Sequence, residues 1–137
     1  MKKYFSASIL LLLGVFVVYE CYKNFISQRS LVGGYINKNF DYQGVLSDIP
    51  YQTDTLRLLS DNTFTSSYWG KGTYKVKYSL TGTKIILIYR YKFGLASFST
   101  TVTRLQGVTP VIILDELHNH YLEKTRLWKG PSWDCLL

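Results

Sequence analysis

Residues 54–91 carry the clearest structural signal in the chain and read DTLRLLSDNTFTSSYWGKGTYKVKYSLTGTKIILIYRY. Short runs rich in Thr, Tyr, Val and Ile, which are typical of β-strands, alternate here with clusters of Gly and small polar residues. Three such clusters predict turns: Ser60-Asp61-Asn62, Trp69-Gly70-Lys71-Gly72 and Leu80-Thr81-Gly82. Because the runs are short and the turns are tight, we expect successive strands to pair antiparallel in a meander.

The run after the second turn alternates strictly between apolar and charged residues. Tyr74, Val76 and Tyr78 point to one face of the predicted strand, and Lys75 and Lys77 point to the other. This pattern predicts a strand with one face on the core and one face in water.

The following run, residues 83–91, is apolar on both faces. Ile85 and Leu87 share one face, and Ile86 and Ile88 share the other. A strand of this kind is central, or its outer face is covered by another segment. We expect that cover from the long loop before the second strand or from the C-terminal tail.

The same signals continue on both sides and predict about eight strands. They are expected at residues 31–36, 55–59, 63–68, 71–78, 83–91, 98–105, 111–114 and 120–124. Eight antiparallel strands close into a barrel whose interior just holds side chains or one small ligand, and closure removes exposed strand edges. The predicted fold class is therefore all-β, an eight-stranded antiparallel meander or barrel.

The first residues of the chain have a different character. Lys2 and Lys3 precede an apolar run from Tyr4 to Tyr19, the layout of an export signal. Residues 4–22 are long enough to cross a hydrocarbon core of about 30 Å. We therefore predict a single N-terminal transmembrane helix that anchors the protein in a lipid bilayer.

The fate of this segment has alternatives. Small residues of the kind that precede a signal-peptide cut are missing after the apolar run, and Cys21 lacks the small residues that precede a lipidated cysteine. Cleavage to a secreted domain and lipidation at Cys21 remain as alternatives to an uncleaved anchor. The positive charges of Lys2 and Lys3 favour a cytoplasmic N-terminus, which places the C-terminal domain outside the cytoplasm.

The predicted domain organisation follows the same signals. It consists of a membrane anchor or signal at 1–22, a linker at 23–30, a β domain at 31–125 and a packed C-terminal tail at 126–137. The formal net charge is +7, but from residue 31 onward 12 Lys and Arg stand against 8 Asp and Glu. These basic residues are scattered and no nucleic-acid motif accompanies them, so we expect a solvated sheet face and no nucleic-acid partner.

Landmarks along residues 31–125 resemble the lipocalin-like (calycin) group of small bacterial exported domains. They are Gly33-Gly34-Tyr35, Leu56-x-Leu58, Asp61-Asn62-x-Phe64, Gly72-x-Tyr74, Ile85-x-Leu87 and His120-Tyr121-x-Glu123-Lys124. Tyr35 stands where lipocalins carry a Trp. The resemblance implies an eight-stranded barrel with the first-strand aromatic across its floor, and an open end that often binds a small apolar ligand.

Aromatic residues are the candidate ligand contacts. The set is Tyr35, Tyr68, Trp69, Tyr74, Tyr78 and Tyr89. In a barrel this small, such side chains either fill the core or line a pocket, and the sequence leaves both readings open. Trp69 lies beside Gly70 in a predicted loop, so we expect it to be exposed and to contact a partner or a membrane.

The candidates for other chemistry are few. His118 and His120, with Asp115, Glu116 and Glu123 nearby, form a weak candidate metal cluster, because two imidazoles two residues apart on a strand share a face. The chain has no nucleophile elbow, P-loop or dinucleotide fingerprint. We predict no cofactor and no enzyme activity. Cys21 and Cys135 are expected to be unpaired.

The predicted function is non-catalytic: a membrane-anchored extracytoplasmic β domain of the bacterial envelope that binds a small apolar ligand or an envelope protein. An aromatic-walled pocket favours the ligand, and a filled core with an exposed Trp69 favours the interaction module. The competing hypothesis is a metal-handling protein or enzyme centred on His118 and His120.

Overall fold

The computed structural model describes residues 2–40 and 48–126, and the side chains of residues 7–40 and 48–126. A long helix α1 and a short helix α2 precede eight strands. The elements are α1 Lys2–Asn24, α2 Gln28–Leu31, β1 Gly33–Lys38, β2 Thr55–Leu58, β3 Thr63–Ser66, β4 Gly70–Ser79, β5 Gly82–Tyr91, β6 Gly94–Leu105, β7 Thr109–Asp115 and β8 His120–Lys124.

The eight strands form a closed up-and-down barrel in which every strand pairs antiparallel with its neighbours in sequence. β1 closes the barrel by pairing with both β2 and β8, so that Tyr35 lies opposite Leu56 on one side and Lys124 on the other. The predicted fold class is confirmed, and no strand edge is left open in the sheet.

The strand bounds agree with prediction to within two residues, except that β6 begins four residues earlier than predicted. β1 begins at Gly33 because residues 28–31 form the turn of α2. β6 begins at Gly94, and Gly94 pairs with Tyr91 on β5. Its first residues include Ala96 and Ser97, which carry no strong strand signal, so their strand is set by pairing with β5 rather than by their own propensity.

Alternate strand residues meet inside the barrel and form one core. The largest fully buried members include Tyr35, Phe64, Tyr74, Leu56, Leu58, Ile85, Leu87, Ile112 and Leu122. Gly72 on β4 lets Phe64 lie flat in this core, because a Cβ there would stand 2.7 Å from the Phe64 ring and 2.1 Å from the Ile88 oxygen. No larger residue fits that close approach.

On the outer face of β5, Ile86 and Ile88 are half-buried. The segments predicted to cover them lie partly outside the described residues, which stop short of 41–47 and 127–137. The predicted cover of β5 and the predicted packing of the tail that holds Trp128 and Trp133 therefore stay predictions.

The end of α1 is bound to the barrel. A helix leaves its last four carbonyls without helical partners, and here the Cys21 oxygen accepts a hydrogen bond from the Phe25 amide at 2.9 Å. The next three accept from barrel side chains. These are Tyr22 O from Arg104 Nε at 3.1 Å, Lys23 O from Thr103 Oγ1 at 3.5 Å and Asn24 O from Thr83 Oγ1 at 2.8 Å. The barrel thus caps the helix.

Residues 25–32, the plug segment, close the adjoining barrel end. Ile26 and Leu31 are fully buried in the core. Their backbone oxygens accept hydrogen bonds from Tyr78 Oη at 3.1 Å and from Tyr35 Oη at 2.6 Å. Much of the segment predicted as a linker is therefore an ordered part of the barrel floor.

The two barrel ends can be named from this connection. The proximal end holds the plug segment and the turns at residues 59–62, 80–81 and 106–108; the distal end holds residues 48–54 and the turns at 67–69, 92–93 and 116–119. In α1, residues Ala7–Asn24 have a mean hydropathy of 1.4 and none of them is buried. Length and composition therefore fit either a membrane anchor or a signal sequence.

Candidate functional site

The six candidate aromatic residues separate between the two ends. Tyr35 and Tyr74 lie in the core toward the proximal end, where Tyr74 Oη donates to the Leu59 oxygen at 2.7 Å. Burial, with Tyr74 nearby, raises the pKa of Tyr35 far above its usual value, so that this phenol stays a neutral donor. Tyr78 is exposed beside the plug segment. These three residues support the barrel floor and its junction with α1.

Tyr68, Trp69 and Tyr89 meet at the distal end, where they line an open cleft of about 410 Å³. Tyr91 and Ser97 extend its wall, and Asp48 contributes a carboxylate at its rim.

A buried carboxylate positions the β3–β4 turn that carries two of these rings. Asp54 accepts hydrogen bonds from Ser66 Oγ at 3.0 Å and from the Tyr68 amide at 3.2 Å. Its own amide donates to Asn37 Oδ1 at 2.7 Å. Since Asp54 and Asn37 are both buried, their polar atoms require such partners, and the turn is held in one conformation.

Trp69 is buried, which corrects the prediction of an exposed contact. Its side chain is only 4% exposed and lies in the core cluster. The indole stacks on Phe98 with ring centroids 5.4 Å apart, and its Nε1 donates to the main-chain oxygen of Asp48 at 3.2 Å. Tyr68 meets its edge at 5.4 Å and 87°. The loop position is right, but the ring folds inward because it caps the distal end of the core.

The electrostatics of the cleft keep its phenols neutral. The pKa of Tyr68 is raised first by burial and then by the charge of Asp48, and the pKa of Tyr89 is raised by the same two causes in the same order. Their hydroxyls therefore act as hydrogen-bond donors and acceptors at neutral pH. Aromatic faces, neutral hydroxyls and one carboxylate are groups that bind and orient a ligand.

Four cleft residues were absent from the predicted set: Asp48, Tyr91, Ala96 and Ser97. Tyr91 follows Tyr89 by two residues on β5, so strand alternation places both on one face and was sufficient to identify it. Asp48 comes from the long β1–β2 connection, and no local signal indicates that its end folds back over the β3–β4 turn.

The His118 and His120 side chains do not converge. A turn at residues 116–119 separates the two rings: His118 is exposed with its Nδ1 2.8 Å from Asp115 Oδ2, and His120 is buried. The expectation of a shared face is therefore wrong, because Asn119, at φ 51°, takes the chain out of the strand conformation between them. Within residues 7–40 and 48–126, no three His, Cys, Asp or Glu side chains are grouped to hold a metal ion.

Cys21 is an exposed free thiol on α1. Cys135 lies outside the described residues, so the expectation of two unpaired cysteines stays a prediction.

Fold and cleft together define a class: a closed eight-stranded antiparallel barrel whose floor is capped by an N-terminal apolar helix that fits a membrane anchor. No known family model, curated protein or solved structure matches the chain. The lipocalin-like resemblance therefore rests on the barrel itself, which is consistent with it.

Proposed function

We propose that the protein is a non-catalytic binding protein of the cell envelope, in which α1 anchors the barrel to a membrane and the distal cleft binds a small apolar ligand. The distal cleft, with Tyr68, Trp69, Tyr89 and Tyr91 in its walls, carries this proposal.

The size and lining of the cleft support a small molecule. About 410 Å³ falls in the range of small-ligand sites, roughly 300–1,000 Å³. Flat aromatic walls favour a ligand with a flat apolar part, which gains from stacking as well as from area burial. Asp48 and the phenol hydroxyls suit a polar group at one end of that ligand.

The position of the cleft supports the same role. The helix joins the proximal end, and the cleft lies at the opposite end of the barrel, so that a ligand reaches it from the aqueous side. With Lys2 and Lys3 retained in the cytoplasm, that side is extracytoplasmic.

An envelope protein is the second candidate partner. Phe93 and Leu95 flank the tip of the β5–β6 hairpin beside the cleft and are largely exposed. Exposed apolar side chains clustered at one end of a small domain are typical of a protein contact.

Native mass spectrometry of the full-length protein, purified in detergent from its own host and followed by solvent extraction, tests the proposal. We expect a co-purifying small molecule. Combined Tyr68→Ala and Tyr91→Ala substitutions remove two walls at about 0.5–1.5 kcal/mol each, so that retained ligand falls by about 5-fold or more.

Tyr78→Ala is the matched control, because Tyr78 is 57% exposed and Tyr91 is 52% exposed but they lie at opposite ends. The control retains the ligand if the distal cleft binds it. If the wild-type protein carries no small molecule, the proposal of a small ligand is contradicted, and the search moves to protein partners of the β5–β6 tip.

A further inference from the structure

Two hairpin tips beside α1 carry exposed apolar side chains. Leu80 stands at the tip of the β4–β5 turn and Val108 in the β6–β7 turn, and Phe25 is exposed where α1 gives way to the plug segment. Turn residues are usually polar, and apolar side chains exposed to water at turn tips are unfavourable. All three lie at the proximal end.

The β6–β7 tip reaches back along α1 to the level of Tyr19, and the β4–β5 tip lies beside Asn24 at the end of α1. A Cβ on Gly107, next to Val108, would stand 3.8 Å from the Tyr19 ring. Tyr19 lies five residues before the end of α1, about 7.5 Å along the helix axis. Tyr side chains favour the interface between hydrocarbon and water. If α1 crosses a membrane, the β6–β7 tip therefore lies at the interface and not above it.

The charges just behind these tips are positive. Lys77 and Lys84 are directly opposite each other on β4 and β5, two residues behind the Leu80 turn, and both are exposed. Among residues 7–40 and 48–126, no acidic side chain lies within ion-pair distance of either lysine. Like charges in directly opposed positions repel each other, and an anion between them would relieve that repulsion.

Two acidic residues near this end are engaged locally. Asp61 on the β2–β3 turn accepts hydrogen bonds from the Thr63 amide and hydroxyl at 3.0 and 2.6 Å. Glu20 on α1 accepts one from Asn24 Nδ2 at 3.2 Å.

We propose that the proximal end of the barrel is a membrane-binding surface, in which Leu80 and Val108 enter the interface while Lys77 and Lys84 bind the phosphates of anionic phospholipids. The occupant is the bilayer that α1 crosses, because this surface is continuous with the anchor. Basic residues near a membrane surface each contribute about 1 kcal/mol with anionic lipid. This proposal rests on the proposed anchoring of α1 in a membrane, and it does not depend on what the distal cleft binds.

The junction with α1 makes this contact obligatory for an inserted helix. Hydrogen bonds from Thr83 and Arg104 to the last carbonyls of α1 prevent the barrel from swinging on a flexible linker. The barrel therefore stands on the membrane, with the distal cleft about 25 Å above it for ten-residue strands tilted as in other barrels.

Fluorescent labelling of the full-length protein in vesicles tests the proposal. In a Cys21→Ser, Cys135→Ser background, an environment-sensitive dye is attached at Leu80→Cys or at Leu117→Cys. The two leucines are 103% and 94% exposed, and both are at hairpin turns, but Leu117 lies at the distal end. In vesicles of phosphatidylcholine and phosphatidylglycerol, we expect emission at shorter wavelength, and quenching by spin-labelled lipid, at position 80 alone.

Equal emission and equal resistance to lipid quenching at the two positions would overturn the proposal. Shielding of position 80 that persists without lipid, and that rises with protein concentration in detergent, would identify a second copy of the chain as the occupant and also overturn it.

Charge reversal tests the headgroup contact. Lys77→Glu with Lys84→Glu is expected to reduce quenching at position 80 in anionic vesicles, while Lys71→Glu with Lys92→Glu at the distal end leaves it unchanged. Quenching at position 80 that is equal in pure phosphatidylcholine, and unaffected by reversal at Lys77 and Lys84, would overturn the assignment to anionic lipid.

Discussion

The proximal and distal ends of the barrel are closed by different means, although both are built from hairpin turns between antiparallel strands. At the proximal end, Ile26 and Leu31 of the plug segment fill the floor, and the Tyr78 and Thr83 side chains donate hydrogen bonds to main-chain oxygens of the plug segment and of α1. At the distal end, the Trp69 and Phe98 rings close the core, and the neighbouring aromatic side chains stay open to solvent. The inside of the proximal end is filled by residues of the plug segment, and the distal end carries a cleft lined by aromatic side chains.

The difference follows from the polar groups that need hydrogen-bond partners at each end. The last carbonyls of a helix have no helical partners, and a carbonyl taken out of water without a partner costs about 1–3 kcal/mol. Thr83, Thr103 and Arg104 supply partners for the last carbonyls of α1. At the distal end the Asp54 network fixes the β3–β4 turn, and Tyr68 and Tyr91 are left exposed beside it.

The largest expected effect is the loss of folding stability caused by a core substitution at the proximal end. Leu31→Ala removes a fully buried side chain and is expected to lower the free energy of unfolding by about 2–5 kcal/mol. Leu117→Ala at the distal end is expected to change it by less than about 0.5 kcal/mol. Urea unfolding of the full chain in detergent, followed by circular dichroism, measures both. Similar values for the two variants would show that the plug segment is not part of the core.

Two glycines test how closely the proximal end holds α1. Gly82 and Gly94 both have positive φ, at 128° and 135°, so alanine at either is strained by about 1–3 kcal/mol. Only at Gly82 would the new Cβ also meet Asn24, 3.0 Å from its oxygen; Gly94 has open space. Overpacking adds about 1 kcal/mol or more. We therefore expect Gly82→Ala to be the more destabilising in the same unfolding measurement.

Gly94→Ala is itself the control for backbone strain, since the two turns share their conformation. Equal losses for the two variants would mean that α1 does not contact the β4–β5 turn in solution.

The sequence predicted the strands well because each carries its own signal. β4 alternates Tyr74 and Val76 with Lys75 and Lys77, and the structure places the lysines outward. β8 begins at His120 as predicted. Local alternation and turn residues are sufficient for such elements. The number of strands, about eight, was then sufficient to predict that the sheet closes into a barrel.

The candidate site was only partly predictable, because its members are chosen by tertiary packing. Nothing local distinguishes Tyr68 and Tyr89, which line the cleft, from Tyr35 and Tyr74, which fill the core. The same is true of Trp69. Its turn was predicted, but the direction of its ring depends on Phe98, 29 residues later in the chain. Residues 25–30 of the plug segment were predicted as a linker because polar residues outnumber Phe25 and Ile26 there, and Leu31 was predicted to open the first strand.

The smallest expected effect is a pH response specific to the distal end. His120 is fully buried beside Tyr51, with ring centroids 6.1 Å apart, and Asp115 and His118 are its nearest charged neighbours. Burial lowers the pKa of His120 below its ordinary 6.5, and Asp115 only partly opposes this. Just below pH 6.5 the unfolded chain therefore binds a proton that the folded chain excludes. The free energy of unfolding is expected to be highest above pH 6.5 and to fall as the pH is lowered through that value toward the folded pKa.

Unfolding titrations between pH 7.5 and pH 5, roughly the range in which histidines titrate, measure this response. His120→Phe is expected to remove the decline, whereas His118→Gln, at the exposed position of the same hairpin, retains it. The shifted groups at the proximal end titrate elsewhere: the Asp61 pKa is lowered from 3.8 by hydrogen bonds from Thr63, and the Lys124 pKa is lowered from 10.5 by burial. A decline that survives in His120→Phe would therefore assign the acid sensitivity to a group outside the distal core, and the two ends would no longer differ in this property.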